Sequence, residues 1–290
     1  MSSVFRLNRS IVRVQGQGVA AFLQGLVTQD VVGGAQSSFQ KLSSLGTLFL
    51  NPKGRIISDA ILTFPTDQSS PTILIDVPDE NRDIIANMLI RHKLRLPLTI
   101  DKMEDLVVCG NLQTCNDPRS PEVCGREILN NSSGRIVDDS KLFQEYSKRR
   151  LIACIPEGLD EIPRDSIVPI FYNFDLFKCI SFTKGCYTGQ ELVTRTIRRG
   201  VVRKRLFPIK CDDGEEVTKG AEIWYKDLKI GEVISGVSNV GLSLLTLAEP
   251  LNEKSQIQSA LKKLDNDSIS LQTASGDCRR VEIIVPHYMR

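Results

Sequence analysis

The run Lys184-Gly185-Cys186-Tyr187-Thr188-Gly189-Gln190-Glu191 constrains the fold more than any other stretch, because two glycines enclose a single cysteine. Glycine adopts backbone angles that are closed to other residues and lets a ligand approach the main chain closely. The run therefore predicts a turn. Four functional side chains surround the thiol in sequence: the cation of Lys184, the ring of Tyr187, the amide of Gln190 and the carboxylate of Glu191.

Two interpretations of Cys186 follow from the residue types. In the first, Lys184 favours the thiolate of Cys186, which is the form that attacks, is oxidised or binds metal. In the second, the run is a tight turn before a helix that Glu191 caps, and Cys186 is a small buried hydrophobe. The exposure of the sulfur distinguishes the two.

The eight-residue run resembles the signature of one branch of the folate-binding aminomethyltransferase-like superfamily. This branch contains the bacterial YgfZ-type proteins and their mitochondrial relatives, which support maturation of 4Fe–4S proteins. A second run, Phe22-Leu23-Gln24-Gly25-Leu26-Val27-Thr28-Gln29-Asp30, is similar to the F-L-Q-G-L-x-T-x-D run of the family. The resemblance extends from about Phe5 to the end of the chain.

The resemblance implies an α+β fold, with a folate-binding aminomethyltransferase-like cloverleaf around a central pocket and a C-terminal antiparallel β-barrel. It places the folate-binding domain, with two lobes, at residues 1–200 and the barrel domain at residues 201–290. The length of 290 residues independently suggests about two domains. From residue 201 onward, short β-rich runs recur at turn spacing, as in a small barrel.

Composition excludes several classes of protein. Hydrophobic residues make up 41% and charged residues 25% of the chain, as in an ordinary globular protein. No apolar run approaches the roughly 20 residues of a membrane-spanning helix, so we expect no membrane partner. The formal net charge of +2 gives no global reason to expect nucleic-acid binding.

Eight cysteines occur without any C-x-x-C pair, and the chain has two histidines. This spacing argues against a zinc or iron–sulfur site formed by this chain alone. Their number in a chain of this length suits reduced intracellular thiols. We therefore expect Cys186 to act, if it binds metal, as a transient ligand shared with a partner.

The first 29 residues contain three arginines and no acid, a composition typical of a mitochondrial transit peptide. However, Phe5 onward already has the pattern of the first strand of the family domain, which leaves almost no room for a cleaved presequence. The resemblance itself implies a location in the mitochondrial matrix.

The segment at residues 16–21 matches G-x-G-x-x-A between a strand and a helix, but the acid of a dinucleotide site is missing about 20 residues further on. Residues 45–50 and 55–64 predict a hairpin around Asn51-Pro52-Lys53-Gly54. In the family this hairpin lines the folate pocket, and Asp59 lies where aminomethyltransferases carry an acidic pair. The alternative for Asp59 is a solvent-facing strand residue.

Composition predicts the secondary structure of four further segments. Residues 110–140 are polar and predict a variable loop region, and residues 150–155 predict a strand. The basic run after Glu191, with Arg195, Val201 and Val202, predicts a strand with basic side chains outward. Residues 249–267 are polar and predict a loop.

The segment around Phe171 departs from the family. Aminomethyltransferases carry a glutamate that contacts the pterin ring two residues after the proline that Pro169 matches, and this chain has Phe171 there. A phenyl ring cannot accept the N–H hydrogen bonds of a pterin, which weakens the inference of folate binding. The resemblance implies a cofactor site for tetrahydrofolate formed by the following residues: Asp59, Phe171, Tyr172, Asn173, Tyr187, Gln190, Glu191 and Arg195.

Three functions are consistent with the sequence. The favoured one is an iron–sulfur assembly factor, in which Cys186 and Lys184 act with scaffold and A-type carrier proteins, rather than a stand-alone enzyme. The second is a tetrahydrofolate-dependent aminomethyl or one-carbon transferase, which needs a positioned acid–base group. The third is an RNA-binding module, which lacks aromatic residues within the basic run to stack on bases.

Overall fold

The computed structural model describes residues 3–33, 44–65, 70–274 and 276–290. The chain divides into two compact units. The first unit comprises Met1–Phe143, Glu157–Ile167 and Phe177–Leu192, and the second comprises Gln144–Pro156, Val168–Leu176 and Val193–Arg290. Across the described residues, the helices are too short or too polar to cross a membrane.

Two sheets form the framework of the first unit. Its described strands are β1 (Val4–Arg6), β2 (Arg9–Gln15), β3 (Ser44–Leu50), β4 (Ile56–Thr63), β5 (Thr72–Pro78), β6 (Thr99–Met103), β7 (Leu106–Asn111), β8 (Gly125–Asn130) and β9 (Ile136–Val137). One sheet has the antiparallel order β3-β4-β5-β2-β6, and the other has the order β8-β7-β1-β9. The strand predicted from Phe5 onward is confirmed, as is the hairpin of β3 and β4.

The described helices are α1 (Val19–Gln24), α2 (Arg82–Lys93), α3 (Ser140–Ile152), α4 (Gly158–Glu161), α5 (Gln190–Arg199) and α6 (Lys254–Lys262). Helices α1 and α2 bury Leu23, Ile85 and Leu89 in one core with the side chains of the five-stranded sheet. Because side chains along a strand alternate between the two faces, this core fixes the register of β2 against β5.

The second unit contains a closed six-stranded barrel in which every strand pair is antiparallel. Its strands are β10 (Lys204–Cys211), β11 (Glu222–Tyr225), β12 (Leu228–Val237), β13 (Val240–Thr246), β14 (Ile269–Gln272) and β15 (Cys278–Ile283). Closure removes the open edges of a sheet, which otherwise invite pairing with other chains. The predicted C-terminal antiparallel barrel is confirmed.

Three local predictions from composition were wrong. The polar region at residues 110–140 contains β8 and β9, because its short apolar stretches pair with β7 and β1. The strand predicted at residues 150–155 is the end of α3 and the turn after it. The polar stretch at residues 249–267 contains α6, which buries Ile257 and Ala260.

The basic run is not an outward-facing strand. Arg195 lies on helix α5, Val202 is buried, and β10 begins at Lys204. Arg205 is fully buried within the second unit, where its guanidinium forms an ion pair of 2.8 Å with Asp175. An arginine that is buried inside a protein usually requires a carboxylate to pair with its charge.

Candidate functional site

Cys186 lies in an exposed turn that immediately precedes helix α5. Gly185 is also exposed, and a Cβ added to it would have no atom within 4 Å. Tyr187 is buried, and its carbonyl oxygen accepts a hydrogen bond of 3.2 Å from the N–H of Gln190. The interpretation of Cys186 as a buried hydrophobe is therefore wrong, since the turn holds its sulfur at the surface.

Lys184 anchors this turn to the first unit. Its Nζ donates hydrogen bonds to the carbonyl oxygens of Gln24 at 2.6 Å, Val27 at 2.8 Å and Gln29 at 2.9 Å. A lysine ammonium has three N–H donors, so these carbonyls occupy all of them. The same Nζ lies 5.1 Å from the ring centroid of Tyr187, within the range of a cation–π contact.

The surroundings of Lys184 change its ionisation. Burial lowers the pKa of Lys184 to about 8, and the negative charge of Asp30 opposes this shift. The pKa of Asp30 is itself lowered by hydrogen bonds from the backbone of Gly33 and the side chain of Gln24. All three N–H donors of Lys184 bond to backbone carbonyls, so none is left to donate a hydrogen bond to Cys186. The predicted stabilisation of the Cys186 thiolate by Lys184 would therefore have to be a longer-range charge interaction.

The segment that supplies the three carbonyls, residues 24–29, is fixed in turn by the hydrogen bonds of Thr28. The N–H of Thr28 donates to Leu48 O at 3.1 Å, and its hydroxyl donates to Cys179 O at 2.7 Å. The carbonyl oxygen of Thr28 accepts from the N–H of Ser181 at 3.0 Å. These bonds tie the segment both to β3 and to the chain that leads into Lys184.

The other side of the turn is held by close main-chain packing. The N–H of Thr188 donates to Gly25 O at 3.1 Å. Gly189 has a φ of +80°, and an added Cβ would lie 2.6 Å from Asn51 O and 2.9 Å from the Cα of Gly54. Both the backbone angle and the space therefore require glycine at position 189.

Three sequence runs thus converge in the first unit: residues 22–30, the turn at residues 51–54, and the run at residues 184–191. Lys184 contacts the first run and Gly189 contacts the second, while Cys186 between them remains exposed. Glu191 is an exposed acid in the first turn of α5, where a negative charge is favourable. The sequence identified all three runs but not their contacts.

Asp59 has a different environment from the one that the sequence suggested. It is 3% exposed, and its carboxylate forms an ion pair of 2.6 Å with Arg9 and accepts from Gly158 N at 3.3 Å. The solvent-facing alternative is wrong. Burial acts to lower the pKa of Arg9, but Asp59 and Asp76 outweigh it and hold that pKa above its usual value.

The sequence analysis missed a buried charge network that continues from this pair. Arg9 also contacts Asp76, which lies 3.3 Å from Arg126. Glu157 bridges Arg119 at 2.5 Å and Arg126 at 2.6 Å. No motif marks these residues, because the network joins side chains from separate strands and from residues 110–140, whose polar composition predicts a loop.

Some of the predicted site residues in the second unit are buried or hydrogen-bonded to other residues of that unit. Tyr172 is buried, and Phe171 is half-buried. Asn173 is fully buried; its side-chain amide donates to Leu206 O at 2.9 Å and accepts from Arg205 at 3.2 Å. Arg195 is exposed on α5.

These observations test the fit of tetrahydrofolate. The carboxylate of Asp59 is enclosed, and both of its oxygens are occupied by Arg9 and Gly158. Phe171 offers no acceptor to a pterin, and the amide of Asn173 already has protein partners. The residues that the resemblance assigns to folate therefore do not fit it as they stand.

The remaining thiols fall into two groups. Cys115 and Cys278 are exposed like Cys186, and the other five cysteines are buried. Burial raises the pKa of Cys109 to about 11 and that of Cys179 to about 12. Among the residues that the structure describes, no three His, Cys, Asp or Glu side chains form a group that could hold a metal ion.

The fold defines the class of protein. Aminomethyltransferase T of the glycine cleavage system from Bartonella henselae has a similar structure, with a TM-score of 0.65 and 14% sequence identity over 99% of this chain and 86% of that one. At this identity the comparison establishes the fold alone. The chain has an aminomethyltransferase-like fold, as predicted.

Comparison with proteins of similar sequence identifies a particular family within this structural class. The mitochondrial iron–sulfur cluster assembly factor IBA57 of Mus musculus is 31% identical, covering 86% of this chain and 80% of the relative. The homologue in Coccidioides immitis (strain RS) is 30% identical, with 83% and 70% covered, and human IBA57 is 29% identical, with 83% and 76% covered. No protein-family model matches the chain. The chain belongs to the IBA57 family of iron–sulfur cluster assembly factors.

Proposed function

We propose that this chain is an iron–sulfur cluster assembly factor of the mitochondrial matrix that serves the maturation of 4Fe–4S proteins. Its relatives named as mitochondrial assembly factors support the general role. The observation that supports a role for this site is the exposed thiol of Cys186 on a turn that Lys184 and Gly189 hold from both sides.

The chemistry of the cluster requires a partner. A 4Fe–4S cluster takes about four cysteine ligands, and the turn supplies one thiol. We infer that scaffold and A-type carrier proteins supply the remaining thiolates. In this exchange the Cys186 thiol loses its proton to solvent, its sulfur binds a cluster iron, and one partner thiolate leaves that iron. The exchange moves no electrons.

The other residues of the run have supporting roles in this proposal. Tyr187 is a buried residue of the turn, and Gln190 and Glu191 begin the helix that follows it. Arg195, one and a half turns further along α5, adds positive charge toward a partner with acidic groups. The chain is then a component of an assembly and not a stand-alone enzyme.

The proposal is tested by mixing the purified chain with a cluster-loaded A-type carrier and recording the absorption and electron paramagnetic resonance spectra. We expect a cluster signal that requires both proteins and that is lost in Cys186→Ser. Cys115→Ser and Cys278→Ser are matched controls, since each removes another exposed thiol, and both should keep the signal. In cells, Cys186→Ser should lower aconitase-type activity. An unchanged signal in Cys186→Ser would refute the role of this thiol.

A second candidate is a tetrahydrofolate-dependent transferase. It is favoured by the fold and by a cavity of 410 Å³ in the first unit, a size suited to a small ligand. The charges that line it, Asp76 and Arg126, are already paired with each other, and Asp59 is occupied by Arg9. Calorimetry with tetrahydrofolate distinguishes this candidate, and Phe171→Glu should gain affinity if the missing acceptor is the only obstacle.

A further inference from the structure

Helix α2 ends in a turn with unusual exposure of apolar side chains, which we call the Leu94 turn (residues 90–96). Leu94 is 83% exposed, and Ile90 and Leu96 are each 47% exposed. The turn is well defined by hydrogen bonds: Leu96 N donates to Lys93 O at 2.8 Å, and Lys93 Nζ donates to Leu98 O at 2.8 Å. The three aliphatic side chains therefore face solvent on an ordered backbone.

The backbone of Leu94 is strained. Its φ is 48° and its ψ is −113°, outside the left-handed helical region that a few non-glycine residues adopt. Strained backbone of this kind persists where the surroundings impose it and is concentrated at functional positions. Glycine would remove both the strain and the exposed side chain. A leucine at this position destabilises the first unit on its own, which indicates that the side chain contacts a binding partner outside the chain.

The same turn is positively charged. Arg91 and Arg95 are exposed, and within the described part of the chain neither forms an ion pair. Residues 84–100 contain no acid. The acids on either side of this stretch are occupied, since Asp83 pairs with Lys102 at 3.0 Å and Asp101 pairs with Arg13 at 2.8 Å.

The composition of the turn indicates its partner. Residues 90–96 have aliphatic and cationic side chains with His92, and no hydroxyl, amide, Tyr or Trp. Protein interfaces obtain their specificity largely from aromatic anchors and directed hydrogen bonds. Anionic lipid surfaces instead take aliphatic side chains at the acyl boundary and Lys or Arg at the phosphates.

We propose that the Leu94 turn docks this chain on an anionic lipid surface, with the Leu94 side chain in the apolar boundary and Arg91 and Arg95 at the lipid phosphates. The absence of a long apolar run excludes a spanning helix, but it does not exclude attachment to a lipid surface. Attachment to the surface needs far less apolar length. The proposal is independent of Cys186 and of its chemistry.

The test is flotation of the purified 290-residue chain with vesicles of phosphatidylcholine alone or of phosphatidylcholine enriched in phosphatidylglycerol. We expect binding to the anionic vesicles only, with a loss of binding as salt is raised. Each arginine contributes about fivefold to affinity, so Arg91→Gln with Arg95→Gln should weaken binding by roughly 25-fold. Leu94→Ser should weaken it by about tenfold or more, the value of a buried leucine.

Two further variants separate docking from folding. Leu228 is 66% exposed on the barrel beside Asp227, so Leu228→Ser is a matched control and should bind normally. Leu94→Gly relieves the strained backbone and should unfold no more easily than the parent chain, yet it should bind vesicles as weakly as Leu94→Ser. Cys186→Ser should bind as the parent does.

Two outcomes would overturn the proposal. The first is a parent chain that stays off the anionic vesicles, including the case in which the turn instead captures an acidic protein. The second is equal binding by the parent, Leu94→Gly and the double arginine variant.

Discussion

The ammonium of Lys184 lies 2.8 Å from the carbonyl oxygen of Val27, across 157 positions of the chain. Together with the bonds to Gln24 and Gln29, this contact joins the cysteine run to the segment after α1. The thiol that we propose to act is that of Cys186, and the turn on which it lies is held by the ammonium of Lys184, two residues before it.

Replacing Lys184 with Met should destabilise the turn while leaving the thiol in place. The variant loses three charge-assisted hydrogen bonds, and because the site is partly exposed, water replaces some of them. We expect the free energy of unfolding to fall by about 2 kcal/mol, and cluster transfer to fall with it. Denaturant titration measures the first effect and the cluster spectrum measures the second.

Lys53→Met is the control for this variant, because Lys53 is an exposed lysine of the adjacent turn at residues 51–54. It should change the free energy of unfolding by less than about 0.5 kcal/mol. If Lys184→Met and Lys53→Met are equally stable and equally active, Lys184 does not anchor the turn.

The lowered pKa of Lys184 predicts how stability depends on pH. The pKa is about 8 in the folded chain and 10.5 for an ordinary lysine. Between these two values the unfolded chain binds more protons than the folded chain, so stability rises with pH. The burial penalty is fully present below pH 8 and disappears as the pH rises to 10.5.

This dependence is measured as the difference in unfolding free energy between the parent chain and Lys184→Met. The difference should shift in favour of the parent chain across the window from pH 8 to 10.5. Subtraction of the variant removes the titration of the other groups. A difference that is flat with pH, or that falls, would contradict the shifted pKa.

Gly189 and Gly185 provide a matched pair within the same run. Gly189→Ala should destabilise the chain by about 1–2 kcal/mol from its positive φ alone, and further because the new Cβ meets Asn51 O at 2.6 Å. Gly185→Ala adds a Cβ with no atom within 4 Å and should cost less than about 1 kcal/mol. Thermal unfolding of the two variants checks the order.

How far the sequence predicts this structure depends on whether a signal is local. The cysteine run, the hairpin of β3 and β4 and the barrel strands were all predicted, because turn residues and alternation are properties of neighbouring positions. The bonds of Lys184 were not, since nothing near residue 184 indicates that carbonyls of residues 24–29 lie beside it.

The wrong local predictions have physical causes. Residues 150–155 are apolar enough for a strand, but they complete α3, and Cys154 then reverses the chain with a φ of 60°. Helix α6 is polar over most of its length. The features that indicate a helix there are two buried side chains and a capping interaction at its N-terminus. In that interaction Gln256 accepts a hydrogen bond of 3.2 Å from the N–H of Glu253.

Strand β2 carries two arginines with contrasting ion pairs, because Arg9 pairs with buried carboxylates and Arg13 with a partly exposed one. Arg9 is 4% exposed and pairs with Asp59 and Asp76, whereas Arg13 is about one-third exposed and pairs with Asp101. Arg9→Met would leave the buried carboxylate of Asp59 without the cation that pairs with it, while Asp76 would keep its contact with Arg126, at a cost of about 3–5 kcal/mol. Arg13→Met should cost no more than about 1 kcal/mol, because water solvates the carboxylate that remains. Urea titration of both variants measures the contrast. Equal costs would mean that the Arg9 network is solvated and that Asp59 remains available to a ligand, which would restore the folate-dependent alternative.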